Sequence, residues 1–151
     1  MSYQTINPFT EKLVKTFTEQ TNEQLEAIIV QADNTYHNDW SLRTLEDRKK
    51  ILKNVVKIFR ERREELAGYI TLEMGKLMTE SRGEVDLSAD ILEYYADNAE
   101  AFLAPEKLKV SGGEAVLESA PLGVLSASSR GTSPTIRWLA SRDRISCSAT
   151  H

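Results

Sequence analysis

The stretch SRGEVDLSADILEYYADNAEAFLA, residues 81–104, decides how the rest of the chain is read. Val85, Ser88, Leu92, Tyr95, Ala99 and Phe102 recur at spacings of three and four, flanked by Leu87, Ile91 and Tyr94. That spacing predicts a long helix with a wide apolar arc, and a wide arc needs more than one neighbour to cover it. Pro105 ends the helix, because proline offers no N–H and crowds the preceding turn. Upstream, Arg63 to Met74 gathers Leu66, Tyr69, Ile70 and Glu73 and stops at Gly75, where a left-handed cap costs glycine least. Before it, Thr44 is placed as an N-cap with Asp47 in the first turn, and Ile51, Leu52, Val55, Ile58 and Phe59 form a stripe. Lys and Arg gather at the end of this helix, near the negative pole of its dipole.

Further out the pattern changes. Thr21-Asn22-Glu23-Gln24 spells a capping box, after which Leu25, Ile28, Ile29 and Ala32 share a helical face that fades near residues 34–38. Residues 3–17 alternate loosely around Asn7-Pro8-Phe9-Thr10 and read as two short extended segments joined by a turn. Downstream, Ser111-Gly112-Gly113 makes a turn and residues 114–119 alternate as a strand. The expectation is a mainly α-helical chain of four helices, with a short N-terminal β hairpin and a C-terminal strand.

The composition excludes several classes of function. The chain has 151 residues, 28% of them charged, with a net charge of −4, and no apolar run of membrane-spanning length. No charged and then apolar leader opens it, and its single cysteine, Cys147, cannot form an internal disulfide, so the cytoplasm is the expected compartment. The acidic balance offers nothing to a phosphate backbone, so no nucleic-acid partner is expected, and no membrane partner either. His37 and His151 lie far apart in sequence, no Cys/His spacing suits zinc, and Gly112-Gly113 is a turn and not a phosphate loop. Lys76 follows Gly75 without the earlier glycine of a nucleotide-binding loop and reads as a solvated charge; the acids of the second and fourth helices read as solvated faces. Cys147 has no base beside it in sequence to make it a nucleophile. No catalytic, cofactor-binding or metal-ligating residue is assigned.

Several strings, taken in order, carry a resemblance. They are Ile6-Asn7-Pro8-Phe9-Thr10-Glu11, Trp40, Arg48, Leu72-Glu73-Met74-Gly75-Lys76, Glu84-Val85, Tyr94-Tyr95-Ala96 and Glu118-Ser119-Ala120-Pro121-Leu122-Gly123-Val124. In this order and spacing residues 1–125 resemble the N-terminal segment of the NAD(P)-dependent aldehyde dehydrogenase superfamily, and the fourth helix is most similar to its succinate-semialdehyde dehydrogenase branch. The resemblance implies the α/β aldehyde dehydrogenase fold, with these helices packed on a cofactor domain and residues 114–119 opening the oligomerisation strands.

Residues 126–151 depart from that pattern. Residues 1–125 hold 15 basic and 22 acidic side chains, whereas residues 126–151 hold four Arg and one Asp, with seven Ser in 26 positions. Their apolar residues follow neither a helical nor a strand period. After Pro-Leu-Gly-Val the family continues with a Rossmann-type strand and a Pro-Trp-Asn-Phe-Pro motif. If Ser128 to Ser133 are encoded TCG AGC CGT GGA ACT TCC, reading one base earlier gives Glu-Pro-Trp-Asn-Phe. Allowed codons for the following residues continue the family pattern, through a Pro-Asn-Leu-Met string. Loss of one base near Leu125-Ser126 accounts for this, so residues 126–151 are expected to be an out-of-frame, disordered tail. The base is missing either from the gene or from the reading of it.

By resemblance, the intact family member oxidises an aldehyde to the carboxylic acid with NAD or NADP. A cysteine thiolate attacks the carbonyl, N–H groups of the backbone and an asparagine hold the oxyanion, and a glutamate activates the deacylating water. None of those three side chains falls in residues 1–125, and Cys147 matches no family position. The chain is therefore expected to be an inactive remnant that binds no NAD(P). The alternative is a non-enzymatic helical fragment that self-associates or joins a full-length aldehyde dehydrogenase.

Overall fold

The computed structural model describes residues 3–125. Strands β1 (Tyr3–Ile6) and β2 (Leu13–Phe17) form an antiparallel hairpin in which Tyr3 faces Phe17 and Thr5 faces Lys15, with a bulge before Ile6. Its turn is organised by Asn7, whose Oδ1 accepts the N–H groups of Phe9 at 2.9 Å and Thr10 at 3.1 Å, an Asx arrangement that explains why asparagine stands there. Glu11 takes φ 56 to close the loop.

Helix α1 (Asn22–Asn38) starts at the predicted capping box. Thr21 Oγ1 accepts from the Gln24 N–H at 3.3 Å, and Gln24 Oε1 accepts from the Thr21 N–H at 2.9 Å. A short 3-10 turn, Trp40–Leu42, follows. Helix α2 (Leu45–Glu61) starts at Thr44, which accepts from the Asp47 N–H at 3.2 Å. Helix α3 (Arg63–Met74) ends at Gly75, whose N–H bonds the Thr71 carbonyl at 2.9 Å. Helix α4 (Met78–Leu103) begins three residues earlier than the apolar period indicates and ends, as expected, just before Pro105. Strands β3 (Glu106–Leu108) and β4 (Ala115–Leu117) then pair antiparallel around the Gly112-Gly113 turn. The polar composition of β3 hid it from a hydrophobicity reading.

The core lies on α4. Leu52 and Val56 of α2 pack against Ala89, Leu92, Ala96 and Ala99, and Ala67 and Ile70 of α3 pack against Val85. Alanine at three of those α4 positions lets α2 approach closely, so buried contact there comes from backbone proximity as well as from side-chain size. The expected arc is kept at Val85, Ser88, Leu92 and Ala99, which are buried, with Tyr95 half-buried, but its flank is on the alanine side. Ala89 and Ala96 are buried, whereas Leu87, Tyr94 and Phe102 are exposed. On α3 the buried face is likewise Ala67 and Ile70, and Tyr69 and Glu73 face outward. Nothing in α1 is buried. Residues 126–151, with Cys147 and His151, lie outside the described residues, and so does the expectation of disorder made for them.

Candidate functional site

Three of the strings that carry the family resemblance meet at one place. Gly75 caps α3 with φ 70, and a Cβ built on it would stand 3.0 Å from Cγ of Pro8, at the tip of the first hairpin. Glycine is required there twice over, by the left-handed backbone and by the close approach. The next residue, Lys76, turns its ammonium onto the carboxylate of Glu84, nearly two turns into α4. Glu84 is only 3% exposed and Lys76 28%, so the pair is largely withdrawn from water. The solvated reading of Lys76 is thus corrected: a carboxylate buried this deeply needs a counter-charge, and the lysine that follows the cap supplies it.

Small polar residues fill the space around the pair. Ser81 and Ser88 are both fully buried; the Ser81 and Thr71 hydroxyls lie 3.0 Å apart, and Ser88 donates to the Glu84 carbonyl at 2.7 Å. Thr71 also reaches Sδ of Met78 at 3.6 Å. The Thr71–Ser81 and Lys76–Glu84 pairs tie the end of α3 to the first turns of α4. The cluster holds no nucleophile next to a base, and the serine hydroxyls are spent on internal hydrogen bonds.

A second polar system runs along the helix surfaces. Lys49 meets Glu100 at 2.7 Å, Lys53 meets Asp97 at 2.8 Å, Arg60 meets Asp90 and Glu93, and Arg63 meets Asp86 at 2.6 Å. As the basic partner advances along α2 into α3 the acidic one retreats along α4, the register of two antiparallel helices. Arg82 adds a pair to Glu64 at 2.8 Å. Hydrogen bonds from these cations hold the Asp86, Glu64 and Glu100 carboxyls below the usual carboxylate range, and the two carboxylates bonded to Lys49 raise its ammonium. Buried Glu84 departs from the solvated face expected for the acids of α4; the others are exposed or half-exposed, and several are committed to partners on α2 and α3. Only the fold could reveal those partners, because they lie 23 to 51 positions apart in sequence.

The remaining strings are structural as well. Arg48 is buried on α2 and donates from Nη2 to the Arg43 carbonyl at 3.0 Å, and Trp40 sits half-buried in the 3-10 turn. Tyr94, Tyr95 and Phe102 form a triangle with ring centroids 5.8 to 5.9 Å apart. His37 is exposed on α1, with Nε2 3.6 Å from the Asp33 carboxylate. The Glu118 to Val124 string runs on from β4 without secondary structure, with Gly123 at φ 80 and Leu122 80% exposed. Among the described residues no group of three or more His, Cys, Asp or Glu could hold a metal ion, and no helix is long and apolar enough to cross a membrane.

An Asn-Pro hairpin tip seated on a glycine-capped helix, a Lys–Glu pair behind it and a long helix leading to a second hairpin together define a class. The chain belongs to the aldehyde dehydrogenase family, whose model matches residues 1–128. Within that family it is 43% identical over 123 residues to the NADP-dependent succinate-semialdehyde dehydrogenase of Deinococcus radiodurans, a match covering 82% of this chain and 26% of that one. A probable enzyme of the same name from Synechocystis is 33% identical over 127 residues, 84% of this chain and 28% of that one. Among solved structures, succinic semialdehyde dehydrogenase from Streptococcus pyogenes, determined with NADP, superposes with a TM-score of 0.92 at 35% identity over 98% of this chain and 32% of that one. Gox0499, a protein studied for its cofactor and substrate selection, superposes at 0.96 with 33% identity over 99% of this chain and 33% of that one. The chain thus spans between a quarter and a third of the length of these relatives.

Proposed function

We propose that this chain is the N-terminal, helix-bearing part of an enzyme that oxidises succinate semialdehyde, or a closely similar aldehyde, to the acid with NADP in the cytoplasm, and that the 151 residues alone do not perform the reaction. The carrying observation is the 43% identity to an NADP-dependent succinate-semialdehyde dehydrogenase, confined to 26% of its length. The one cysteine of the chain, Cys147, lies beyond the matched residues 1–128, so nothing in the match offers a thiolate to attack an aldehyde. The change of composition after Leu125, the end of the family match at residue 128 and the recovery of Glu-Pro-Trp-Asn-Phe in the neighbouring frame support a single-base loss as the origin of residues 126–151.

The deciding experiment is to sequence the coding DNA across Leu125-Ser126 and weigh the expressed protein. A mass of 17.0 kDa with the base absent, no reduction of NADP on addition of succinate semialdehyde, and no saturable NADP heat in calorimetry are expected. Turnover or cofactor binding by the 17.0 kDa protein overturns the reading.

A second reading is favoured by β4, whose outer edge pairs with no further strand among the described residues and whose Val116 and Leu117 are exposed. In it the chain joins an intact relative through this edge. Co-purification that disappears in Val116→Asp supports it, and the absence of any co-purifying relative removes it.

A further inference from the structure

We draw no further inference here: the strongest candidate, the exposed side of α4 on which Leu87 and Tyr94 follow Gly83 at helical spacing, with nothing within 4 Å of where a Cβ on that glycine would stand, is an unpartnered helix face, and nothing in the structure shows what covers it.

Discussion

Replacing Gly75 by alanine tests the junction at which the hairpin, α3 and α4 meet. Two costs add. The backbone at φ 70 is left-handed, which an L side chain adopts at a cost of about 1–2 kcal/mol. The new Cβ would also stand 3.0 Å from Pro8 Cγ, tighter than ordinary contact, although Pro8 is exposed and the hairpin can yield a few tenths of an ångström. We therefore assign about 0.5 kcal/mol to the contact, the scale of coupling between touching residues. Alanine also restricts the unfolded chain, which returns roughly 0.4–1 kcal/mol to the folded state. The expected net loss is about 1–1.5 kcal/mol, read as a lower urea midpoint at unchanged slope by circular dichroism of the 151-residue protein. In a Pro8→Ala background the contact with Cγ is gone and the loss should shrink by about 0.5 kcal/mol. Gly75→Asn should cost less than Gly75→Ala in that background, because asparagine tolerates the left-handed region. Equal losses in the two backgrounds would show that the hairpin does not rest on Gly75. No loss in either would refute the left-handed cap itself.

Other perturbations probe the core, the caps and the surface charges. Leu92→Ala removes a side chain that is 2% exposed between α2 and α4 and should cost about 2–5 kcal/mol in the same urea assay. Thr44→Ala, which removes the cap of a packed helix, should lower global stability by about 1 kcal/mol, whereas Thr21→Ala should lower helical signal with little change in the global midpoint. Asp86, Glu64 and Glu100 have folded-state values below their unfolded ones, so their contribution is complete above about pH 4–5 and fades as pH falls through the folded values. Stability should be flat near neutrality and fall in acid, and Asp86→Asn should lower the plateau and flatten the fall; an unchanged acid slope would contradict the pairing with Arg63.

The parts of this fold that were legible in the sequence are those decided within a few residues. Thr21 with Gln24, Thr44 with Asp47, Gly75 and Pro105 mark helix ends because capping and termination are local hydrogen-bond and steric events. Asn7 marks the hairpin turn for the same reason. The junction itself was only half legible. Its residues stood out as family strings, but that Pro8 meets Gly75 and Lys76 meets Glu84 depends on how α3 is set against α4. Large apolar residues such as Leu87, Tyr94 and Phe102 misled on the buried side of α4. The closest packing uses alanines, which carry little weight in a hydrophobicity pattern but allow helices to approach.

That last point bears on function. In an isolated helical domain the largest apolar residues of the longest helix would be expected inside, and here Leu87, Tyr94 and Phe102 are outside, together with the Leu25, Ile28 and Ile29 face of α1 and the edge at Val116. These exposures accompany a close superposition on much longer relatives, so the sequence of residues 1–125 is suited to a larger body than the one it forms alone. The alanine seam and the ion-pair register hold α2, α3 and α4 together without that body; the first hairpin touches this core where Pro8 meets Gly75, and α1 and the second hairpin pack on it less. In the chain alone α1 and the second hairpin should therefore open first, while the three-helix core keeps its cooperative unfolding. Hydrogen exchange that is uniform from α1 through α4 in the chain alone would show that the division between core and dependent elements is wrong.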